Sequence, residues 1–213
     1  MNIIEERIRF YFPEESDKII SLYDIDKIIS FLNFLQENNE RGGFFSKKDE
    51  ELILDRHIIE SIYHIYILLG HVVVSRKTKV ADIGTGPGLP GFLFFCLRDF
   101  PALTLVDSQK RRLGILQEWI DLNFIGHNIK FDYKRAEDIR GSFDLVTSRA
   151  FIQWPWSAEV ICRMVRKGGI YAPFGATASE PANEKEILSR AGFEKIKILQ
   201  LEKLNFLGTR HIK

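Results

Sequence analysis

Cysteine is scarce in this chain, a marked charge excess of either sign and long hydrophobic runs are missing, and each of these excludes something. Only two of its 213 residues are cysteine. Cys96 and Cys162 sit in apolar, helix-like stretches without metal-ligand spacing. That excludes a disulfide scaffold and a thiolate zinc site, and leaves free thiols in a reducing compartment. Thirty basic residues face 29 acidic ones, for a net charge of +1. No global field therefore advertises a nucleic-acid partner, and any basic surface must be local. No apolar run approaches the ~20 residues of a membrane helix, and the first residues lack the apolar core of a secretion signal. The expectation is a cytoplasmic protein with no membrane partner. Repeats, linkers and low-complexity tracts are missing too. What is present, 45% hydrophobic and 28% charged residues, is the composition of a globular protein with a full core and room for a small appendage.

The first third reads as helical. Ile19, Ile20, Tyr23, Ile28, Leu32 and Leu35 recur at helical intervals and are expected to line one helix. Asn38-Asn39 and Gly42-Gly43 break it. Ser46 with Asp49 three residues on has the pattern of an N-cap. A further helix carries Ile58, Ile62, Ile65 and Leu69 on one face and stops at Gly70. From residue 79 the pattern becomes strand–helix alternation. Strands are expected at 79–83, 102–106, 129–133, 143–147 and 169–173, with a further pair near 194–202 and 209–213. Helices are expected at 89–98, 109–123, 154–166 and 180–190. Apolar strands alternating with helices specify a parallel sheet covered on both faces, a doubly wound α/β fold. Residues 1–70 form a helical cap on the sheet domain of 71–213, the two packed as one unit.

Residues 80–91, VADIGTGPGLPG, carry the most information. A strand runs into a loop with Gly84, Gly86 and Gly88, and an apolar helix follows, so that a nucleotide-like ligand can approach bare backbone. Asp107 ends the next strand, about 20 residues beyond the loop, where a carboxylate accepts hydrogen bonds from ribose hydroxyls. Ala136-Glu137 follow the third strand, where a carboxylate receives the adenine amine. The loop is G-x-G-x-G with Pro87 inside, not G-x-G-x-x-G, and a third-strand acid is not needed for dinucleotides. Both details favour S-adenosylmethionine. A dinucleotide enzyme and a nucleotide binder without catalysis remain the alternatives at this point.

DIGTGPGLPG (82–91), LVDSQKRR (105–112) with Leu116, Arg135-Ala136-Glu137 and SRAF (148–151), together with Arg56-His57-Ile58-Ile59-Glu60-Ser61, resemble the RsmG (GidB) family. Members of that family are bacterial methyltransferases that modify guanine N7 in 16S ribosomal RNA. The likeness spans residues 55 to 151, with a weaker echo at Arg210-His211. The chain departs from the family pattern at 38–45 and after strand five, where Ala172-Pro173-Phe174-Gly175 replaces a K-G pair. The resemblance implies a Rossmann-like class I methyltransferase fold, S-adenosylmethionine as cofactor, and 16S rRNA in the small ribosomal subunit as partner. It also implies that Gly84 and Leu89 line the cofactor pocket and that Ala136 and Glu137 meet the adenine. Arg149 is the candidate catalytic residue, placed where cofactor and target base meet. A methyltransferase acting on a small molecule or a protein is the alternative, and a monomer is the default expectation.

Several residues carry two readings. His57 is a functional polar group or a packed helix residue. Lys110-Arg111-Arg112 grip RNA phosphates or form a solvated first turn. Arg163, Arg166 and Lys167 serve RNA or sit at a helix C-terminus. Trp154 and Trp156 stack on a base or pack. Asp82 or Glu137 offers its carboxylate to a cationic product base. Lys47 and Lys48 read as solvated, and Phe92, Phe94 and Phe95 as core.

Overall fold

In the computed structural model, residues 1–149, 156–174 and 181–197 are described. Five helices open the chain: α1 (Ile3–Tyr11), α2 (Ser16–Leu22), α3 (Ile25–Glu37), α4 (Asn39–Gly42) and α5 (Lys47–Glu50). Asn2 caps α1 by accepting the Glu5 N–H at 3.0 Å, and Ser46 caps α5 by accepting that of Asp49 at 3.2 Å. A π-helical turn (Ile53–Ile59) then runs into α6 (Glu60–Leu69), which ends at Gly70.

The helix expected through Ile19 and Ile28 is two helices. Tyr23 is extended because it pairs with Leu97 in an antiparallel bridge. The Asp24 N–H bonds the Cys96 carbonyl at 2.8 Å, and the buried Tyr23 hydroxyl donates to Ile62 O at 3.3 Å. A tertiary contact overrides the helical period there.

The sheet is all-parallel: β1 (Lys79–Ile83), β2 (Ala102–Val106), β3 (Lys130–Asp132), β4 (Phe143–Arg149) and β5 (Val165–Phe174), in the order β3-β2-β1-β4-β5. Helices α7 (Gly91–Phe95), α8 (Lys110–Asn123), α9 (Trp156–Cys162) and α10 (Pro181–Arg190) alternate with the strands. The order reverses between β1 and β4, the point where doubly wound folds take ligands. Helix α7 is shorter than the expected 89–98 and α9 shorter than 154–166. Strand β5 begins at Val165, so Arg166 and Lys167 lie on a strand, where Arg166 pairs with Asp144. Residues 194–197 form no strand; 198–213, with Arg210-His211, lie outside the described residues, as do Ala150, Phe151 and Trp154.

Strand alternation sorts side chains between two cores. Val80, Leu103, Leu105 and Leu145 join α7, α8 and the buried faces of α1, α2, α3, the π-helical turn and α6 in one cluster rich in phenylalanine, including Phe31, Phe34, Phe92 and Phe94. Ala81, Ile83, Val106 and Val146 pack on the opposite face against Ala136, Ile139, Val160 and Ile161. Cys96 is buried and Cys162 partly so, both as free thiols.

Candidate functional site

The glycine loop is pinned to its neighbours from below. The N–H groups of Gly84 and Thr85 both donate to Val106 O, at 2.9 and 3.0 Å, so the loop leaves β1 leaning over the end of β2. Gly86 has φ +55, and a Cβ built there would meet nothing within 4 Å, so its outer side faces open space. Gly84 and Gly88 also adopt positive φ. Gly91 is glycine for the opposite reason: a Cβ there would lie 2.4 Å from Leu105 Cδ2 and 2.7 Å from Asp82 Oδ2. The Leu89 side chain is buried in the cap-side core, so this position offers a ligand its backbone.

Two carboxylates organise the loop, and only one remains near solvent. Asp82 is fully buried; Oδ2 accepts the Gly91 N–H at 2.8 Å and Oδ1 the Thr147 hydroxyl at 3.2 Å. Burial pushes its pKa up to about 6 against the pull of these hydrogen bonds. Asp82 is therefore not available to a product base; it seats the N-terminus of α7 instead. Asp107 stands at the end of β2 and is 8% exposed. Its Oδ2 accepts the Gly86 N–H and its Oδ1 that of Gln109, each at 2.7 Å. A carboxylate has about four lone-pair directions, so both oxygens keep accepting capacity beyond these two bonds.

Ala136 and Glu137 form a 3₁₀ turn (Ala136–Asp138) after β3. The Ala136 side chain is buried, while Glu137 is half-exposed with Arg135 Nη1 3.9 Å from Oε1. Both line a cavity of about 400 Å³ with Ile139, Arg140, Gly141, Val160 and Arg163. That cavity opens on the face of the sheet away from the cap, and Gly84, Gly86, Gly88, Leu89 and Asp107 are not among its lining residues.

Arg149 ends β4 in phase with Leu145 and Thr147, which turns its side chain toward the cap. Its Nη2 donates to Arg56 O at 2.9 Å and Glu60 Oε2 at 3.3 Å; its Nη1 donates to His57 O at 3.2 Å and Ser61 Oγ at 3.3 Å. Glu60 and Ser61 close the Arg56–Ser61 motif, and nothing in the sequence assigned them a role. The available signal was an acidic residue beside Ile58, Ile59 and Ile62, on a helix that buries its apolar face. His57 packs its ring on Phe45 at 4.5 Å, and its Nε2 is buried with no hydrogen-bond partner among the described residues. Burial lowers its pKa to about 4, helped by Arg149 and Arg56. The imidazole is neutral at physiological pH.

Arg111 and Arg112 make tertiary contacts at the exposed start of α8. They donate to the carbonyls of Arg41 and Gly43, Arg112 at 2.5 Å, and so bind the C-terminal end of α4 to α8. Arg41 returns a salt bridge to Glu118 at 2.9 Å. The 38–45 segment is therefore held by the helix that the basic cluster begins. Lys47 and Lys48 are exposed, and Trp156 is 41% exposed at the start of α9.

Comparison with known proteins places this geometry. Solved structures with the same fold include a ribosomal protein L11 methylase from Lactobacillus delbrueckii subsp. bulgaricus, at 17% identity over 68% of this chain and 74% of that one, with a TM-score of 0.53. A Haemonchus contortus phosphoethanolamine N-methyltransferase in complex with S-adenosyl-L-methionine aligns at 17% identity over 62% of this chain and 36% of that one, with a TM-score of 0.51. At such identity they establish the fold alone, a Rossmann-like class I methyltransferase fold. A ribosomal RNA small subunit methyltransferase G from Leptospira interrogans is 45% identical over 99% of this chain and 83% of its own length. One from Clostridium beijerinckii is 30% identical over 89% and 80%. The family described as rRNA small subunit methyltransferase G (GidB) matches residues 24–210, which enclose the glycine loop, Asp107, Ala136-Glu137 and Arg149. The chain belongs to that family.

Proposed function

We propose that this S-adenosylmethionine-dependent 16S rRNA methyltransferase modifies N7 of a guanine, acting on the small ribosomal subunit as a cytoplasmic monomer. The observation that carries the reading is the pairing of Gly86 and Asp107 at the switch point of a sheet whose chain belongs to this family. An open glycine backbone beside a carboxylate with spare acceptor capacity fits a ribose and its sulfonium arm. Among the described residues no helix is long and apolar enough to cross a membrane.

S-adenosylmethionine supplies a sulfonium methyl whose transfer leaves the sulfur neutral and puts the positive charge on the purine. Guanine N7 carries a lone pair and no proton, so the protein has no proton to remove, and its work is placement. Asp107 receives the ribose hydroxyls while it holds the loop through the Gly86 N–H. Asp82 fixes the start of α7 and so the height of the loop. Ala136 and Glu137 bound the adenine side, and Arg149 bounds the place where methyl and base meet. The target guanine must leave its stack to arrive there.

The direct test is labelled-methyl transfer to purified 30S subunits that lack the modification, with the product nucleoside identified by mass spectrometry. N7-methylguanosine at one site is the expected result. Methylation at another atom overturns the N7 assignment, and cofactor binding without RNA methylation overturns the RNA assignment.

A further inference from the structure

The Arg149 guanidinium is anchored from the cap. Four of its hydrogen bonds are to groups on one short stretch: the main-chain carbonyls of Arg56 and His57, then the side chains of Glu60 and Ser61. That stretch is the junction of the π-helical turn and α6, where the Glu60 N–H bonds Asp55 O five residues back. The π-turn accommodates one extra residue directly before Glu60, a device common at functional sites. Glu60 is 1% exposed and Arg149 15% exposed, in an ion pair 3.3 Å apart. A buried carboxylate costs several kcal/mol unless it is paired, so Glu60 belongs there only with its arginine. Arg149 stands at the carboxyl end of β4, beside β1, where the strand order reverses.

We propose that Glu60, assisted by Ser61, is a positioning residue for methyl transfer: it locks the plane of the Arg149 guanidinium so that its exposed edge meets cofactor and target base in one fixed orientation. The helical cap is then part of the catalytic apparatus, because it supplies every protein contact given above for that guanidinium. This rests on the reading of Arg149 as a site residue. A displacement of about 1 Å in such a group lowers rate on the order of 100-fold, and the same loss is expected when the lock is removed.

The test compares Glu60→Ala, Glu60→Gln, Ser61→Ala, Arg149→Ala and the Glu60→Ala/Arg149→Ala pair in the full-length protein. The readouts are kcat on 30S subunits, KM for S-adenosylmethionine and thermal unfolding. Glu60→Ala is expected to lower kcat about 100-fold at temperatures where it is fully folded. Glu60→Gln retains an acceptor and is expected to recover most of that loss. The double variant is expected to be no slower than Arg149→Ala alone, since the effect travels through the arginine. Wild-type kcat in folded Glu60→Ala, or an equal loss with and without Arg149, overturns the proposal. Ser61→Ala removes one hydrogen bond to the guanidinium and is expected to give a smaller loss of kcat in the same direction; if Glu60→Ala does not fold, unchanged kcat in folded Ser61→Ala overturns the proposal. Full activity in Arg149→Ala removes the underlying site reading. Inactive Arg149→Ala beside fully active Glu60 variants removes only the positioning role.

Discussion

The two faces of the sheet are made from the same strands and do different work. Toward the cap, β4 presents Leu145, Thr147 and Arg149, and β1 presents Val80 and Asp82; toward the other face the same strands present Val146, Ser148, Ala81 and Ile83. The cap side is aromatic and deeply covered, and it holds the buried Asp82 and Glu60 and the largely buried Arg149. The far side is aliphatic, with Ser148 and Tyr171 hydroxyls 2.9 Å apart as a polar pair. Desolvated polar groups need fixed partners: Asp82 takes Gly91 and Thr147 from the sheet domain itself, whereas Arg149 takes Arg56, His57, Glu60 and Ser61 from the cap. The difference teaches why the helical third and the sheet share a core: the cap is what holds the Arg149 guanidinium at the switch point.

Core substitutions test that contrast most severely. Phe92→Ala on the cap side should cost about 3–5 kcal/mol, and Ile139→Val on the far side about 0.5–1.5 kcal/mol, read by denaturant unfolding. Comparable losses would mean that the two faces contribute alike.

The next largest effect is electrostatic and separates Asp82 from His57. The folded Asp82 carboxyl keeps its proton to about 6, against 3.8 for an ordinary aspartate, so the folded state binds more protons in that window. Its contribution is present below pH 4 and falls by about 3 kcal/mol as pH rises to 6. His57 runs the other way. Its folded pKa is about 4 against 6.5, so its contribution is present above 6.5 and is lost as pH falls toward 4. Unfolding of Asp82→Asn and His57→Gln between pH 4 and 7 should diverge from wild type in opposite senses. Profiles parallel to wild type would show that neither group is desolvated as described.

Asp107→Ala should weaken S-adenosylmethionine binding by about 1–3 kcal/mol through lost charge-assisted hydrogen bonds. Calorimetry reads it directly, and unchanged affinity would remove Asp107 from the ribose. The smallest effect belongs to the surface: Arg112→Ala should cost about 0.5–1 kcal/mol of stability by releasing the Gly43 carbonyl. A loss of RNA affinity with stability intact would return that cluster to the RNA.

Much of the framework was legible because it is local. Alternation placed all five described strands, and Ser46 and Gly70 marked helix ends through caps that act over a few residues. The break at Tyr23 was not legible, since an apolar residue in helical phase was drawn out of its helix by Leu97. Arg111 and Arg112 looked like a basic cluster because nothing near them in sequence reveals the carbonyls of Arg41 and Gly43, about 70 residues earlier.

By itself the sequence determined the doubly wound sheet, the glycine loop after β1, Asp107 at the end of β2 and membership of a methyltransferase family. These follow from periodicity, turn chemistry and motif spacing, all written in short stretches of chain. Only the tertiary structure decided that Asp82 is an internal brace rather than an open carboxylate. It also decided that Arg149 is clamped by groups 88 to 93 residues away. Protonation and orientation depend on which groups exclude water from which, and only the packing of the cap against the sheet settles that.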